Sequence, residues 1–412
     1  KKQINEQIID YCKFYKLCDS CSFLSNICDH FAAILRDDEF RNKLDANVGY
    51  LAFENGIVNL TTLEFRAGIN ADDFITRTIP FDYYVPKDEG VEFVRNVIFK
   101  ICNANEQHLD FYLSAMGYSL LGKAHLEKKM YFLVGQKGDN GKTLILSALS
   151  TIAPCYIDKI DRQTFILGYT KAHKHLAATR GKRLVYMEEL PTKKLDNEKL
   201  KEYADGKSNK NEVLFQTEET IPIISKLWAL SNPTPTFDSD GGMEGRYMQM
   251  QMNASFKLHH KEDNYETLEF KRDNTLADKL EQKYYMELLY LLMTYAQRYE
   301  IEGMPEIPPE WQEATKETIL SNDAFQTWFD DCCEVGKDFK AGKQEVTQSS
   351  GKELRAVKDE LMRLGFKYNR DLRVNGQKGV WKGFRVKLED EIDMSDHDTD
   401  AESDDELETE PN

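Results

Sequence analysis

Residues 138–143, Gly-Asp-Asn-Gly-Lys-Thr, combine the residue types that bind nucleotide phosphates. Phosphates require backbone N–H donors in a concave turn, a helix N-terminus, a lysine that neutralises charge and a hydroxyl that holds Mg²⁺. The apolar run MYFLV (130–134) precedes the loop and KTLILSALSTI (142–152) follows it, so a buried strand and a helix flank the turn. The sequence therefore predicts a site for ATP and Mg²⁺. Its binding residues would be Gly138, Asp139, Asn140, Gly141, Lys142, Thr143 and Leu144.

The loop departs by one residue from the common pattern G-x-x-x-x-G-K-[ST]. That pattern places a glycine five positions before Gly141, where this chain has Gln136, and the glycine is instead Gly135. Because the later residues contact phosphate and metal, we expect the shift to affect only the turn that leaves the strand.

Polar side chains end two further apolar runs. RLVYM (183–187) is followed by Glu188 and Glu189, and KLWALSN (226–232) ends in Asn232. In a parallel sheet the carboxyl ends of the strands meet at one edge, where ligands bind. Adjacent residues on a strand point to opposite faces, so we assign Glu188 to the metal and Glu189 to the attacking water. Asn232 is placed to bond the γ-phosphate or that water.

Arg246 follows a polar, glycine-containing loop and precedes the alternating run YMQMQM (247–252). An arginine there can project onto the γ-phosphate of a neighbouring subunit, as an arginine finger does. The alternative is an ordinary surface arginine.

The order of these segments resembles the superfamily 3 helicases of viruses and plasmids. The resemblance rests on five segments in this order: a strand, the loop KGDNGKT, a second strand that ends in Glu-Glu, a polar hairpin region, and the run KLWALSN. In addition, an asparagine before Gly-Lys, here Asn140, is typical of the family. FENGIVNLTTLEFRAG (53–68) and DDFITRTIPFDYYVP (72–86) resemble the domain preceding the ATPase in poxvirus-type and giant-virus primase-helicases. GFKYNRDLRVNGQKGVWKGFRVK (365–387) is similar to their winged-helix module.

The resemblance implies an α/β fold with an AAA+ type ATPase core in a homo-hexameric ring. Such rings hydrolyse ATP, translocate on single-stranded DNA, usually 3′ to 5′, and unwind forked DNA during genome replication. A primase domain, upstream or in trans, and a replicative polymerase are the implied protein partners. The alternatives are an AAA+ remodelling or packaging ATPase, and an ATP-gated platform that loads a primase or polymerase.

Lysines of a polar hairpin are the candidates for gripping DNA. The family commonly has Thr-Gly-Gly-Asp before its DNA hairpin, where this chain has Ala-Asp-Gly-Lys at 204–207, so the alignment there stays open. We expect a hairpin between VLFQ (213–216) and TIPII (220–224), with Lys207 and Lys210 on the DNA backbone or simply in solvent. In the C-terminal module the candidate DNA-binding residues are Arg363, Lys367, Arg370, Arg373 and Lys382.

The predicted organisation has six segments. They are an N-terminal domain (1–90), a helical collar (91–128), the ATPase core (129–257), a helical connection (258–335), a winged-helix domain (336–388) and an acidic disordered tail (389–412). The net charge of −17 comes mostly from the tail, which has thirteen acidic and no basic residues. Segment 337–388 has fourteen basic and six acidic residues, which suits a nucleic-acid partner.

The remaining features bear on location and metal binding. The chain has no apolar run long enough to span a membrane and no signal peptide, which indicates the host cytoplasm or the nucleus. Cys18, Cys21, Cys28 and His30 raise the possibility of zinc, but their helical spacing favours small apolar residues in a helix packing.

Overall fold

The computed structural model describes residues 21–34, 40–135, 138–206, 209–211, 219–221, 223–260, 262–374 and 376–387. The chain divides into two compact units, 1–85 and 86–412.

The described part of the first unit contains two α-helices and a small sheet. Helices α1 (Cys21–Ile34) and α2 (Phe40–Lys43) precede strands β1 (Tyr50–Phe53), β2 (Gly56–Asn59) and β3 (Phe65–Ala67). The strands pair antiparallel in the order β1-β2-β3. Asn55-Gly56 is a turn signal in the sequence, and it separates β1 from β2.

The run DDFITRTIPFDY (72–83) predicts a strand from its sequence, and this prediction is wrong. A 3-10 helix at Ala71–Asp73 and a single bridge between Phe53 and Ile79 replace it. The backbone N–H of Thr76 donates to Asp45 Oδ1 at 2.7 Å and that of Tyr83 to Asn55 Oδ1 at 2.8 Å. Side chains therefore take donors that a strand would have used in a ladder.

Two helices open the second unit where the collar was predicted, α3 (Asp88–Ile101) and α4 (Glu106–Leu120). The Asn105 side chain accepts the N–H groups of Gln107 and His108 and so caps α4. Except for Asp110, helix α4 is buried from His108 to Leu120, and it packs on the sheet, where Trp228 Nε1 donates to Ser119 Oγ at 3.0 Å.

A five-stranded parallel sheet forms the centre of the second unit. Its strands are β4 (Met130–Val134), β5 (Ile157–Lys159), β6 (Leu184–Met187), β9 (Lys226–Ser231) and β10 (Tyr247–Gln251), in the order β10-β4-β9-β6-β5. All pairs are parallel, and the three strands predicted from apolar runs are confirmed as β4, β6 and β9. Every residue of these three strands is buried, as a sheet covered on both faces requires.

Shorter elements lie between the strands of this sheet in sequence or follow β10, and their strands form two separate two-stranded sheets. They are α5 (Lys142–Ile152), α6 (Ala172–Ala177), α7 (Asn197–Ala204), β7 (Asn209–Asn211), β8 (Glu219–Ile221), α8 (Gly241–Glu244), β11 (Ser255–Lys257) and β12 (Glu269–Lys271). Helices α9 (Leu276–Gln282), α10 (Tyr285–Glu302), α11 (Pro309–Ser321) and α12 (Ala324–Cys332) follow. The segment after 257 is therefore not entirely helical as predicted, because β12 pairs with β11.

A small module with its own core ends the described chain. It contains β13 (Cys333–Gly342), α13 (Lys343–Ser350), α14 (Leu354–Arg363), β14 (Tyr368–Val374) and β15 (Gln377–Val386), with sheet order β13-β15-β14. Leu354, Val357, Leu361 and Leu364 have the spacing of one helix face, and Asn375-Gly376 between two strand-like runs predicts a hairpin. Both predictions are confirmed, as α14 and the β14–β15 pair. Phe325 and Phe329 of α12 belong to the same buried cluster as Trp381 and Phe384. The core of the module thus begins before the predicted boundary at 336.

Candidate nucleotide site

The loop after β4 and the ends of β6 and β9 form one cleft of about 500 Å³ at the carboxyl edge of the sheet. The structure brings together eight predicted site residues there: Gly138, Asp139, Asn140, Lys142, Thr143, Glu188, Glu189 and Asn232. This convergence follows from the parallel register, because β4 pairs with β9 and β9 with β6.

Gly141 lets the loop enter α5. Its φ of +76° lies in the left-handed region, and an added Cβ would lie 2.9 Å from Ile101 Cγ1. A side chain at this position would therefore meet both backbone strain and the neighbouring helix α3. Helix α5 begins at the next residue, so its first N–H groups lie beside the cleft.

Lys142 is held inside the cleft by two oxygen atoms. Its Nζ donates to the carbonyl of Gly135 at 3.1 Å and to Asn232 Oδ1 at 2.9 Å. The residue is buried, and this burial lowers the pKa of its ammonium group to about 8. A cation with this little solvation favours an anionic ligand, since such a ligand would restore the charge balance.

Gly135 has a structural role that the sequence analysis missed. A Cβ added there would lie 2.1 Å from Asn140 Nδ2, 2.7 Å from the carbonyl oxygen of Met252 and 3.0 Å from Lys142 Nζ. Asn140 Nδ2 also donates to the Met252 carbonyl at 3.5 Å. The expectation that this glycine affects only the turn leaving the strand is therefore wrong, because it makes room for two cleft residues and the end of β10.

Each acidic residue of the pair has a basic neighbour, one at the end of β5 and the other in the segment after it. Lys159 Nζ donates to Glu188, a bond that raises the pKa of Lys159, and Arg162 Nη1 donates to Glu189 Oε2 at 3.1 Å. Glu188 is one-fifth exposed whereas Glu189 is mostly exposed. Both residues follow β6, and Glu189 has a φ of +52°, so strand alternation does not explain the difference. The sequence analysis missed Lys159 and Arg162, because the three-residue β5 gives too short a hydrophobic pattern to recognise.

Leu144, predicted to bind nucleotide, lies outside this cleft. It lines a neighbouring cavity of about 230 Å³ together with Ile101, Phe256 and Arg272. Arg272 Nη1 bonds Asp139 Oδ1 at 3.0 Å at the border between the two spaces.

Arg246 lies at the amino edge of the sheet, away from the cleft of its own chain. It directly precedes β10, whose first residue pairs with the first residue of β4. Its Nε and Nη2 donate to Asp205 Oδ1 at 3.1 and 2.6 Å, and its Nη1 donates to the Gly242 carbonyl at 2.7 Å. Only 17% of this side chain is exposed, because Asp205 and the Gly242 carbonyl bind its guanidinium group.

The DNA-binding candidates are spread over two regions. Lys207 lies outside the described residues, and Lys210 lies on β7 opposite Thr220 of β8. The predicted first strand, VLFQ (213–216), lies outside the described residues, whereas Thr220 and Ile221 of the predicted second strand lie on β8. In the C-terminal module Arg363 is the last residue of α14, and Lys367, Arg370, Arg373 and Lys382 are exposed.

Two further expectations concern metal ions and membranes. Cys18 lies outside the described residues, whereas Cys21, Cys28 and His30 lie on α1. Over the described ranges no three His, Cys, Asp or Glu side chains group as metal ligands. No helix in the described part of the chain is long and apolar enough to cross a membrane.

Comparison with known proteins links the chain to viral helicases. Residues 1–107 match the family model described as D5 N terminal like. A helicase-named protein of Acanthamoeba polyphaga mimivirus is 23% identical over 344 residues, covering 80% of this chain and 35% of the relative. One of the Sputnik virophage, also named as a helicase, is 22% identical over 316 residues, covering 71% of this chain and 39% of the relative. The chain thus spans little more than a third of the length of these relatives.

Among solved structures, an apo form of the NrS-1 C-terminal region aligns with a TM-score of 0.46 and 12% identity. The alignment covers 75% of this chain and 79% of that one. The N-terminal match and the helicase-named viral relatives confirm the resemblance to viral superfamily 3-type helicases that the motifs indicate.

Proposed function

We propose that the chain is the ATP-hydrolysing part of a viral DNA helicase that unwinds forked DNA during genome replication. The observation that carries this proposal is the meeting of Lys142, the Glu188–Glu189 pair and Asn232 at one edge of a parallel sheet. A phosphate-binding loop, an acidic pair and an amide are the groups that phosphoryl transfer to water requires.

The cleft fits a nucleoside triphosphate with its Mg²⁺. Backbone N–H groups at the start of α5 and the Lys142 ammonium would bind the phosphates, and Gly135 leaves the space in which Lys142 lies. Thr143 and Glu188 would hold Mg²⁺, which when bound neutralises charge on the phosphate oxygens. Glu189 would orient the attacking water, and Asn232 would bond that water or the γ-phosphate.

Two hydrogen bonds that exist in the cleft would have to break when a nucleotide and Mg²⁺ bind. Lys142 and Asn232 bond each other at 2.9 Å, and Glu188 bonds Lys159. A phosphate would replace Asn232 as the partner of Lys142 and free the amide for the γ-phosphate or water. Lys159 would in turn release Glu188 for the metal ion.

Arg246 supports an assembly of several subunits. Because a five-residue strand spans about 17 Å, Arg246 at the amino edge of the sheet cannot reach the cleft of its own chain. We assign Arg246 to the γ-phosphate of a neighbouring subunit in a homo-hexameric ring. We further propose that this ring translocates on DNA from 3′ to 5′. Mixed rings of Arg246→Ala and Lys142→Ala subunits should then regain part of the activity that each variant lacks alone.

Two regions would contact DNA. The β7–β8 hairpin with Lys210, and Lys207 in sequence beside it, would grip the backbone of a single strand in the ring. A winged-helix fold for the C-terminal module is supported by α13, α14 and the β14–β15 ribbon, to which β13 adds a third strand. Its exposed Lys367, Arg370, Arg373 and Lys382 would bind duplex DNA at the fork. A primase domain, in the same polypeptide or in trans, and a replicative polymerase are the proposed protein partners.

Strand displacement on forks with 3′ or 5′ tails tests this proposal. The wild-type protein should displace the strand only with ATP and only with one tail polarity, and Lys142→Ala should abolish displacement. Lys174→Ala, which removes an exposed lysine of α6, is the matched control and should behave as wild type. ATP binding without displacement would indicate a loading platform instead. Stimulation of hydrolysis by protein and not by DNA would indicate a remodelling ATPase.

A further inference from the structure

One face of α7 is bonded to the segment that leads to Arg246. Asn197, Lys201 and Asp205 are spaced four residues apart, so they lie above one another on the same side of the helix. Each of them bonds a residue of segment 238–246.

The first two bonds fix the beginning of that segment. Asn197 Nδ2 donates to the Asp238 carbonyl at 2.5 Å, and Asn197 Oδ1 accepts the N–H of Asp238 at 3.2 Å. One turn later, Lys201 forms an ion pair with Asp240, the residue that caps α8.

The third bond holds the arginine itself. Asp205 Oδ1 accepts two hydrogen bonds from Arg246, and the two side chains are only 14% and 17% exposed. A charge pair with so little solvent contact is poorly screened, so removing Asp205 would leave the Arg246 cation without its main partner. Lys128 also approaches Asp205 Oδ1, at 3.7 Å, but it is 55% exposed.

Asp205 also lies at the base of the β7–β8 hairpin. It ends α7 and is followed by Gly206, whose φ of +67° turns the chain toward β7. A Cβ added at Gly206 would lie 3.1 Å from the carbonyl oxygen of Ile223, two residues after β8. The two ends of the hairpin therefore meet within one residue of the carboxylate that holds Arg246.

We propose that Asp205 is a positioning residue for Arg246, and that α7 transmits a displacement of the β7–β8 hairpin to Arg246. This inference rests on the proposed function, in which the hairpin contacts DNA and Arg246 acts on a neighbouring subunit. DNA bound at the hairpin of one subunit then controls hydrolysis in the next subunit of the ring. The segment from Asp238 to Arg246 follows the movement because α7 holds it at three successive turns.

The test compares ATP hydrolysis with and without single-stranded DNA in Asp205→Ala, Asp205→Glu and Lys128→Ala. Coupling between two sites of a protein typically changes a response about 5- to 150-fold. DNA should therefore stimulate ATP hydrolysis at least about fivefold less in Asp205→Ala than in the wild type. Asp205→Glu retains a carboxylate and should recover part of it. Lys128→Ala removes the exposed neighbour of Asp205 and should behave as wild type. Asp205→Ala should still bind a fluorescent ATP analogue with wild-type affinity, because the cleft lies at the other edge of the sheet.

A double-mutant cycle with Arg246→Ala separates positioning from a general structural effect. In single-turnover assays, which detect the residual hydrolysis of Arg246→Ala, Asp205→Ala should add nothing to the loss if Asp205 acts through Arg246. Additive losses, or normal stimulation of Asp205→Ala while Arg246→Ala is impaired, would overturn the inference and leave the proposed function intact. Absence of DNA stimulation in the wild-type protein would instead refute the proposed function. If Asp205→Ala does not fold, as judged by thermal melting, the isosteric Asp205→Asn takes its place and the same criteria apply.

Discussion

Substitution of Gly135 by alanine tests whether this glycine is needed for the nucleotide cleft. The added Cβ would lie 2.1 Å from Asn140 Nδ2 and 2.7 Å from the Met252 carbonyl oxygen. The Asn140 amide can move aside, but the Met252 carbonyl is backbone, and the N–H of Met252 donates to the Val134 carbonyl at 2.7 Å. Gly135 is fixed as well, because its N–H donates to the Ser231 carbonyl at 3.2 Å. The loop must therefore shift away from the end of β10.

The expected effects concern both stability and binding. Overpacking of this kind lowers the free energy of unfolding by about 1–3 kcal/mol. A shifted loop also moves the Gly135 carbonyl that holds Lys142 at 3.1 Å. If Lys142 loses one charged hydrogen bond to phosphate, worth about 1.5–3 kcal/mol, the Kd for ATP rises about 10- to 150-fold.

Gly138→Ala is the matched control for this substitution. An added Cβ at Gly138 meets nothing within 4 Å, although this glycine lies in the same loop and lines the cleft. Titration with a fluorescent ATP analogue gives the Kd of each variant, and thermal melting gives its stability. Equal Kd values and melting temperatures for the two variants would refute the packing argument for Gly135.

Three further predictions address catalysis, DNA binding and stability. Glu189→Gln should bind ATP normally but hydrolyse it about 10²- to 10⁴-fold more slowly in single-turnover assays; an unchanged rate would exclude Glu189 as the water-orienting residue. Lys382→Ala should reduce the slope of log K against log salt for fork binding by about one unit, and an unchanged slope would place Lys382 away from phosphate. Burial against Trp311 lowers the pKa of His108 below 6.5, so below that pH the unfolded chain binds more protons than the folded one and stability falls as the pH falls. His108→Phe keeps an aromatic ring at this position but cannot titrate. Between pH 7.5 and pH 5.5, urea unfolding should show a smaller loss of unfolding free energy for this variant than for the wild type.

The carboxyl edge of the sheet could be predicted because its signals are local in sequence. β4, β6 and β9 are each an apolar run that ends in the polar residues that line the cleft. A parallel arrangement then brings those ends together whatever the details of the packing. Lys142, Glu188 and Asn232 needed no further information to be placed in one site.

The short and charged elements could not be predicted in the same way. β13 reads CEVGKDFKAG, in which charged residues interrupt any apolar alternation, and it forms because β15 pairs along it. The segment 72–83 has the composition of a strand, yet the side chains of Asp45 and Asn55 take two of its backbone donors. In both cases partners distant in sequence decided the structure.

The same reason explains why the shifted glycine looked like a minor variation of the loop. The common pattern describes contacts between a loop and phosphate, whereas Gly135 is surrounded by the chain itself. Met252, at the end of β10, brings its carbonyl oxygen to the place that a side chain at position 135 would occupy, and Asn140 bonds that same oxygen. Asn140 and Gly135 therefore form one structural unit with β10: the amide fastens the loop to the strand end, and the glycine provides the space. β10 begins one residue after Arg246, the proposed arginine finger. The bond between Asn140 and the Met252 carbonyl therefore joins the phosphate-binding loop to the far end of the strand that follows Arg246.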